Sequence, residues 1–466
     1  MHKSKNIALL IIIACQLMIV LDASIMITAL PEIGRTLHLA TTTLTWVQNA
    51  YILAFGGLLL LGARAGDIFG RKQVFMVGIG LFTAASLLVG LANSTEFLFM
   101  SRALQGIAAA LATPSALSLL SVTFVEPKER SKAIALYSAV SGVGGSVGLL
   151  LGGVLTDLIS WRLGMFINVP IGLLLLSLAP KYLPKTERVS GHFDFMGAVT
   201  SVIGMTALVF GFIRAADKGW VNPETVLSLV VGLVLIISFI VIEKRAKQPI
   251  TPLRLFNSRE RTAGYLGRFF FVGGMFSMMY FLSQFLQTVF GFNAFEASLA
   301  FVPMTAVQFA MMYAVPKLLS KYGTSKLLVA GILVALAGMS WLSGISVETN
   351  FYIGIVMPMI LLGVGAGIIF IPFTSLGLSN VEARDAGAAS GLVNVAHQIG
   401  GSVGLAVLAS IFGGKAPAGS LSKQAFAHAV SLTITGSTLF FAASLTVVVL
   451  LLLVKKEKQA PLKVPA

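Results

Sequence analysis

The sequence predicts an all-α polytopic membrane protein: fourteen transmembrane helices in two parallel six-helix bundles, with a two-helix hairpin inserted between them. Three observations predict it. Apolar runs of about 20 residues, long enough to cross the hydrocarbon layer, recur along the 466 residues, of which 56% are hydrophobic and 11% charged, with a mean hydropathy of +0.91. Lys and Arg collect on alternate connections. The stretch GGSVGL occurs twice, at Gly144–Leu149 and Gly400–Leu405.

The first run, Ile7–Ala29, follows a basic start and imitates a secretory signal. It continues past Asp22 without a convincing cleavage site, so it reads as an uncleaved span. Thr45–Arg64 and Val74–Ala92 flank a short charged connection, and Phe97–Ser121 and Ala133–Asp157 flank another. Gly164–Tyr182 closes the first six. Phe193–Ile213 and Thr225–Ile242 form the extra hairpin. Thr262–Val289, Ala297–Leu318, Lys326–Gly344, Phe351–Ser375, Gly387–Phe412 and His428–Val454 complete the set. Several begin or end at Pro, Asn or charged clusters, as interfacial turns do.

Orientation follows from the 33 basic residues: 25 fall in segments on the amino-terminal side, six on the opposite side, and Arg102 and Arg268 lie within spans. Cytoplasmic connections collect Lys and Arg, so both termini are expected in the cytoplasm. The same rule accounts for the net charge of +15 without any nucleic-acid partner. The GGSVGL copies lie in spans five and thirteen. Gln105–Pro114 in span four resembles Leu362–Pro372 in span twelve, and DIFGRK (Asp67–Lys72) has a degenerate echo in SKYGTSK (Ser320–Lys326). Three segments in one order at similar offsets indicate duplication, and an even number of spans between them makes the copies parallel. The expected division is residues 1–190 for the first bundle, 191–250 for the hairpin and linker, and 251–466 for the second bundle.

Asp22 organises the reading. No charged residue lies closer in sequence than Lys5 or Glu32. A carboxylate in hydrocarbon costs several kcal/mol or more, so it must face a cavity, find a partner or take up a proton. It is therefore a candidate proton or cation site, with helix packing against a neighbour as the alternative. Arg102 lies about five residues into span four from the outside, and Asp22 about eight before the outer end of span one. Their depths differ by roughly 5 Å, so Arg102 is the expected partner, directly or through water or Gln105. The alternative is that Arg102 snorkels to the outer interface. Nucleotide-driven transport lacks a G-x-x-x-x-G-K-[ST] loop. Five scattered His and the single Cys15 offer no metal-ligand cluster and no intrachain disulfide. No cofactor and no enzymatic activity are expected, and energy must come from an ion gradient.

Four stretches carry a family resemblance: LDASIMITALP (Leu21–Pro31), ARAGDIFGRKQVF (Ala63–Phe75), SRALQGIAAA (Ser101–Ala110) and GGSVGLLLGGVLTD (Gly144–Asp157). They resemble the motifs of major facilitator superfamily transporters, in the fourteen-span drug:proton antiporter branch, and the likeness covers the whole chain. The resemblance implies that Asp67, Gly70, Arg71 and Lys72 form a gating loop; ordinary surface ion pairs in a positive-inside loop are the alternative. It also implies that Gly144, Gly148, Gly152 and Gly153 form the antiporter-motif helix. Close helix approach alone would explain these glycines, and Leu149 stands where that motif has Pro.

In the second half, Phe281–Pro303 again resembles the branch, and no acid lies mid-span. Gln287, Gln308, His397 and Gln398 are polar residues at spans; His397 is read as a hydrogen-bonding residue before a proton carrier, and Gln398 as functional or merely bridging helices. The expected substrate cavity is Asp22, Met26, Gln105, Tyr280, Gln284, Phe370 and Asn394, with Asp22 and Arg102 coupling protons. All mid-membrane charge is expected in the first half. The resulting expectation is a monomer in the plasma membrane, of bacterial origin, that exports small lipophilic drugs or antibiotics in exchange for protons. A symporter or facilitator of a metabolite on the same fold is the alternative within transport, kept open by Leu149. A non-transporting membrane sensor or assembly partner is the alternative outside it, and would not need the charge at Asp22.

Overall fold

A computed structural model describes residues 2–39, 41–184, 194–246, 249, 251–381, 386–413 and 422–453. Among the described residues all regular structure is helical. The first half comprises α1 (His2–Leu37), α2 (Thr41–Phe69), α3 (Arg71–Gly90), α4 (Thr95–Thr123), α5 (Pro127–Leu158), α6 (Trp161–Phe166) and α7 (Asn168–Tyr182). The hairpin is α8 (Phe195–Lys218) and α9 (Pro223–Arg245). The second half comprises α10 (Arg259–Thr288), α11 (Ala294–Ala300), α12 (Val302–Tyr322), α13 (Thr324–Leu342), α14 (Met357–Gly377), α15 (Ala386–Gly413) and α16 (Lys423–Leu452). Among the described residues thirteen helical stretches are long and apolar enough to cross a membrane. The 32 residues of α5 make the fourteenth.

Several helices extend past the apolar runs into capped, polar ends. Ser94, Asn222 and Ser422 each accept a backbone N–H of the first turn, and Asn293 and Glu296 form a reciprocal capping box. Three predicted spans are not single α-helices. Span six breaks between α6 and α7, span ten between α11 and α12, and span twelve starts with a π-helical turn at Phe351–Val356 before α14. Each second piece has a proline in its first turn: Pro170, Pro303 and Pro358. Proline has no N–H to give the preceding turn, so it costs least at a start; Pro31, Pro114, Pro180, Pro316 and Pro372 nevertheless lie inside α1, α4, α7, α12 and α14.

The two halves repeat one contact. Gly144, Gly148 and Gly152 of α5 lie against Leu17, Leu21 and Ile25 of α1, so the helices approach where a side chain would intrude. In the second half Gly400 and Gly404 of α15 lie against Phe269 and Gly273 of α10. The duplicated GGSVGL thus seats the fifth helix of each half on the first. Small residues matter here because lipid supplies no hydrophobic drive for helices to associate; close van der Waals fit must do it.

The halves meet along α2 and α15. Ser402 donates to Asn49 at 2.6 Å across this seam, and Gly56 abuts Gln398. They also meet where α5 ends, at Gly153, which faces Ala294, Phe295 and Ser298 at the start of α11. The hairpin covers the α2–α15 seam: Val209 and Ile213 of α8 share a buried cluster with Leu53 of α2 and Ala406 of α15. Outermost α9 exposes Leu227, Val230, Val234 and Ile237, the surface expected against lipid.

Candidate functional site: a buried carboxylate cluster

Asp22 stands midway along α1 on the face that also buries Ile19 and Met26. It has no exposed surface, and neither do Arg102 and Gln105. The latter two lie three apart on α4 and therefore share a face. Arg102 Nη1 donates to Asp22 Oδ2 at 2.8 Å and to Gln105 Oε1 at 2.6 Å. Gln105 Nε2 donates to Asp22 Oδ1 at 2.6 Å. Arg102 is fixed further by its Nε, which donates to the Val47 carbonyl at 3.1 Å, and by the Tyr51 ring, whose centroid is 4.4 Å from Cζ. It does not snorkel to an interface.

Three contributors to this cluster have no counterpart in the sequence reading. Asn168, at the start of α7, donates to Asp22 Oδ1 at 2.9 Å. Ser86 of α3 accepts from Gln105 at 2.8 Å and from Asn168 at 3.3 Å. Tyr51 stacks from α2. The signal available for Asn168 was its type: a lone amide in an apolar run. Five helices of the first half thus converge on one carboxylate. Three neutral or cationic donors surround it, which is what a buried acid requires when ionised. Among the described residues, Arg102 Nη2 and Asn168 Oδ1 have no hydrogen-bond partner. The cluster is therefore not saturated, and it can do chemistry of one kind: gain or lose a proton at Asp22 while Arg102 stays anchored by α2 and α4.

The other predicted residues scatter. Met26 is fully buried in the core that spans both halves. Tyr280 and Gln284 are nearly buried on α10 and hydrogen-bonded to each other, with Gln284 Nε2 unpartnered. Phe370 of α14 is half-buried, and Asn394 of α15 is exposed. Asp22, Met26 and Gln105 thus present no surface in this conformation. Gln398 lies against Gly56 of α2, between the halves. Mid-membrane charge is not confined to the first half. Arg268 lies nine residues into α10, beside Thr374 and His397. The expectation of charge in the first half alone weighed acids and not Arg268, which also lies within a span.

In the loop between α2 and α3, Gly70 adopts φ 96°, a turn conformation that a Cβ resists. Lys72 Nζ donates to the carbonyls of Pro180 and Leu183 at 2.6 and 2.8 Å, tying the loop to the end of α7. The Asp67 side chain lies outside what the structure describes. The four glycines of α5 split by contact: Gly144, Gly148 and Gly152 face α1, whereas Gly153 faces the second half. Leu149 is buried, and α5 runs through it unbroken. No stretch of sequence signals an apolar cavity of about 630 Å³ between α2, α4 and α8, lined by Trp46, Leu53, Phe99, Ala103 and Phe210.

Known proteins match the chain along most of its length. The chain is 38% identical over 447 residues to the puromycin resistance protein pur8 of Streptomyces alboniger, covering 93% of this chain and 87% of that one. It is 36% identical to the cephamycin export protein CmcT of Amycolatopsis lactamdurans, covering 88% and 86%. The tetracenomycin C resistance and export protein of Streptomyces glaucescens is 34% identical, covering 84% and 73%. Among solved structures, a POT peptide transporter in complex with sulfate superposes with a TM-score of 0.69 at 14% identity, covering 96% and 93%. A bacterial homologue of the human lysosomal transporter Spinster does so at 0.65 and 16%, covering 96% and 97%. At such identities these two share the fold alone. Residues 12–405 match the profile of the Major Facilitator Superfamily. With two halves joined at a seam and a duplicated helix contact in each, the chain belongs to that superfamily.

Proposed function

We propose that this protein exports lipophilic drugs or antibiotics across the bacterial plasma membrane in exchange for protons, by alternating access of its two halves. Members of the superfamily are transporters, not enzymes. The observation that carries the reading is the Asp22–Arg102–Gln105–Asn168 cluster, a protonatable group held entirely inside one half of a transporter. The relatives named for puromycin resistance and cephamycin export support the substrate class.

In this reading a proton on Asp22 removes the charge that Arg102 opposes. Arg102 then depends on Val47, Gln105 and Tyr51, and α1 loses its hold on α4. Because α5 rides on α1 through three glycines, and Gly153 of α5 meets α11, a shift of α1 reaches the contact between halves. Asp22, Met26, Gln105, Tyr280, Gln284, Phe370 and Asn394 would line the substrate path as the halves part. Asp67, Gly70, Arg71 and Lys72 would hold one side shut. Both termini would be cytoplasmic, with bundles at 1–190 and 251–466, a hairpin at 191–250, and a monomer as the working unit.

The test is uphill efflux from cells or vesicles carrying a pH gradient, with a growth-inhibition panel to find the substrate. Asp22→Asn should abolish gradient-driven efflux and resistance while the protein still reaches the membrane. Full uphill efflux by Asp22→Asn would overturn the assignment of the proton site.

A further inference from the structure

We propose that Arg268, with His397 and Thr374, forms an oxyanion-binding site at the seam between the halves, receiving the carboxylate of a lipophilic acid. Arg268 is about 14 Å along a helix roughly 45 Å long, which puts it within a ~30 Å hydrocarbon layer centred on that helix. A charge at that depth is expensive and persists where it pairs or works. Among the described residues no carboxylate pairs with it. Its contacts are neutral: Nη1 donates to Thr374 Oγ1 at 2.9 Å, Nη2 meets His397 Nδ1 at 3.4 Å, and Phe370 lies with its centroid 5.4 Å from Cζ. Nε has no partner. Arg102, by contrast, has its acid and no exposed surface.

The surroundings fit an anion on an apolar body. A guanidinium donates only, so the His397 Nδ1 facing it is the acceptor and the ring proton sits on Nε2; His397 and Thr374 thus hold the fork in place as acceptors and leave the carboxylate to the spare N–H groups of Arg268. Thr374 gives its own proton to the Phe370 carbonyl at 2.9 Å and so presents a lone pair to Arg268, fixing the plane of the fork. A planar fork with spare N–H groups matches a carboxylate. Phe370 and Phe276 stand against His397 at 6.0 and 5.7 Å between ring centroids and supply apolar walls. All five side chains are half-buried. Phe276 also packs on the buried core of the first half, which places the cluster at the seam.

The inference rests on the efflux reading only in calling the acid a substrate. The same fork would take a phospholipid phosphate, and the test separates the two. Full-length protein in phosphatidylcholine nanodiscs is titrated at equilibrium, without any gradient, with radiolabelled 1-naphthylacetate and with its methyl ester. Wild type should bind the acid at least about tenfold more tightly than the ester, the size of one charge-assisted interaction. Arg268→Gln should lose that preference with ester binding kept, which also shows that the variant is folded, and Arg268→Lys should restore part of it. Loss of acid binding on adding phosphatidylglycerol would assign the site to lipid phosphate; acid binding unchanged there would assign it to substrate. Equal binding of acid and ester by wild type, or an undiminished preference in Arg268→Gln, would overturn the site. Failure of the efflux reading would appear elsewhere, as uphill transport by Asp22→Asn.

Discussion

Breaking the buried cluster one member at a time tests whether Asp22 and Arg102 act as a unit. In Arg102→Met the methionine fills the space but leaves the carboxylate facing only Gln105 Nε2 and Asn168 Nδ2. Removing one partner of a buried ion pair costs about 3–5 kcal/mol. Asp22→Asn leaves the Arg102 charge buried without its carboxylate, a loss of the same kind and size, about 3–5 kcal/mol, while Arg102 Nη1, Gln105 Nε2 and Asn168 Nδ2 compete for one amide oxygen. The double variant has neither charge. It should recover much of the summed loss, giving a coupling of several kcal/mol, far above the ~0.5 kcal/mol scatter of independent sites. The assay is unfolding of purified protein by denaturant titration in mixed micelles, with gradient-driven efflux measured on the same four proteins. Stability should return in the double variant and efflux should not. Losses that add to within about 0.5 kcal/mol would refute the view that the two charges hold each other.

Three further outcomes follow from single contacts. Gly153→Val should stop the end of α5 from seating on Ala294 and Phe295, lowering transport and raising cross-linker access at that end while the fold persists. Ser402→Ala removes the 2.6 Å donor to Asn49 from the seam; a loss of about 1–3 kcal/mol from the joined state should appear as a shift in the distance distribution between spin labels on the two halves. Leu149→Pro restores the residue of the motif that α5 resembles but takes an N–H from an unbroken helix at a buried position, so a loss of about 3 kcal/mol is expected, read as a lower thermal midpoint.

The three broken spans were not legible in the apolar pattern. The sequence places Pro170, Pro303 and Pro358 inside apolar runs, and the runs alone read as unbroken spans. The breaks come from where each proline falls relative to a helix start, which capping and neighbours decide. Asp22 and Arg102 were legible because depth along a helix is arithmetic at 1.5 Å per residue. Ser86, Asn168 and Tyr51 were not, because nothing in α3, α7 or α2 alone says which face turns toward α1. Arg268 was visible as a charge in a span; its company of Thr374 and His397, 106 and 129 residues away, was not.

By itself the sequence determined the fourteen spans, the one-sided basic connections, the duplication and the lone acid. Hydrocarbon imposes these constraints on each segment separately: every span must satisfy its own backbone and every buried charge must be answered. Only the tertiary structure decided which helices touch, that α8 covers the α2–α15 seam, and that one arginine meets a carboxylate while the other does not. Those outcomes depend on close fit between small residues far apart in the chain, and in lipid no general hydrophobic force makes one lateral arrangement readable in advance.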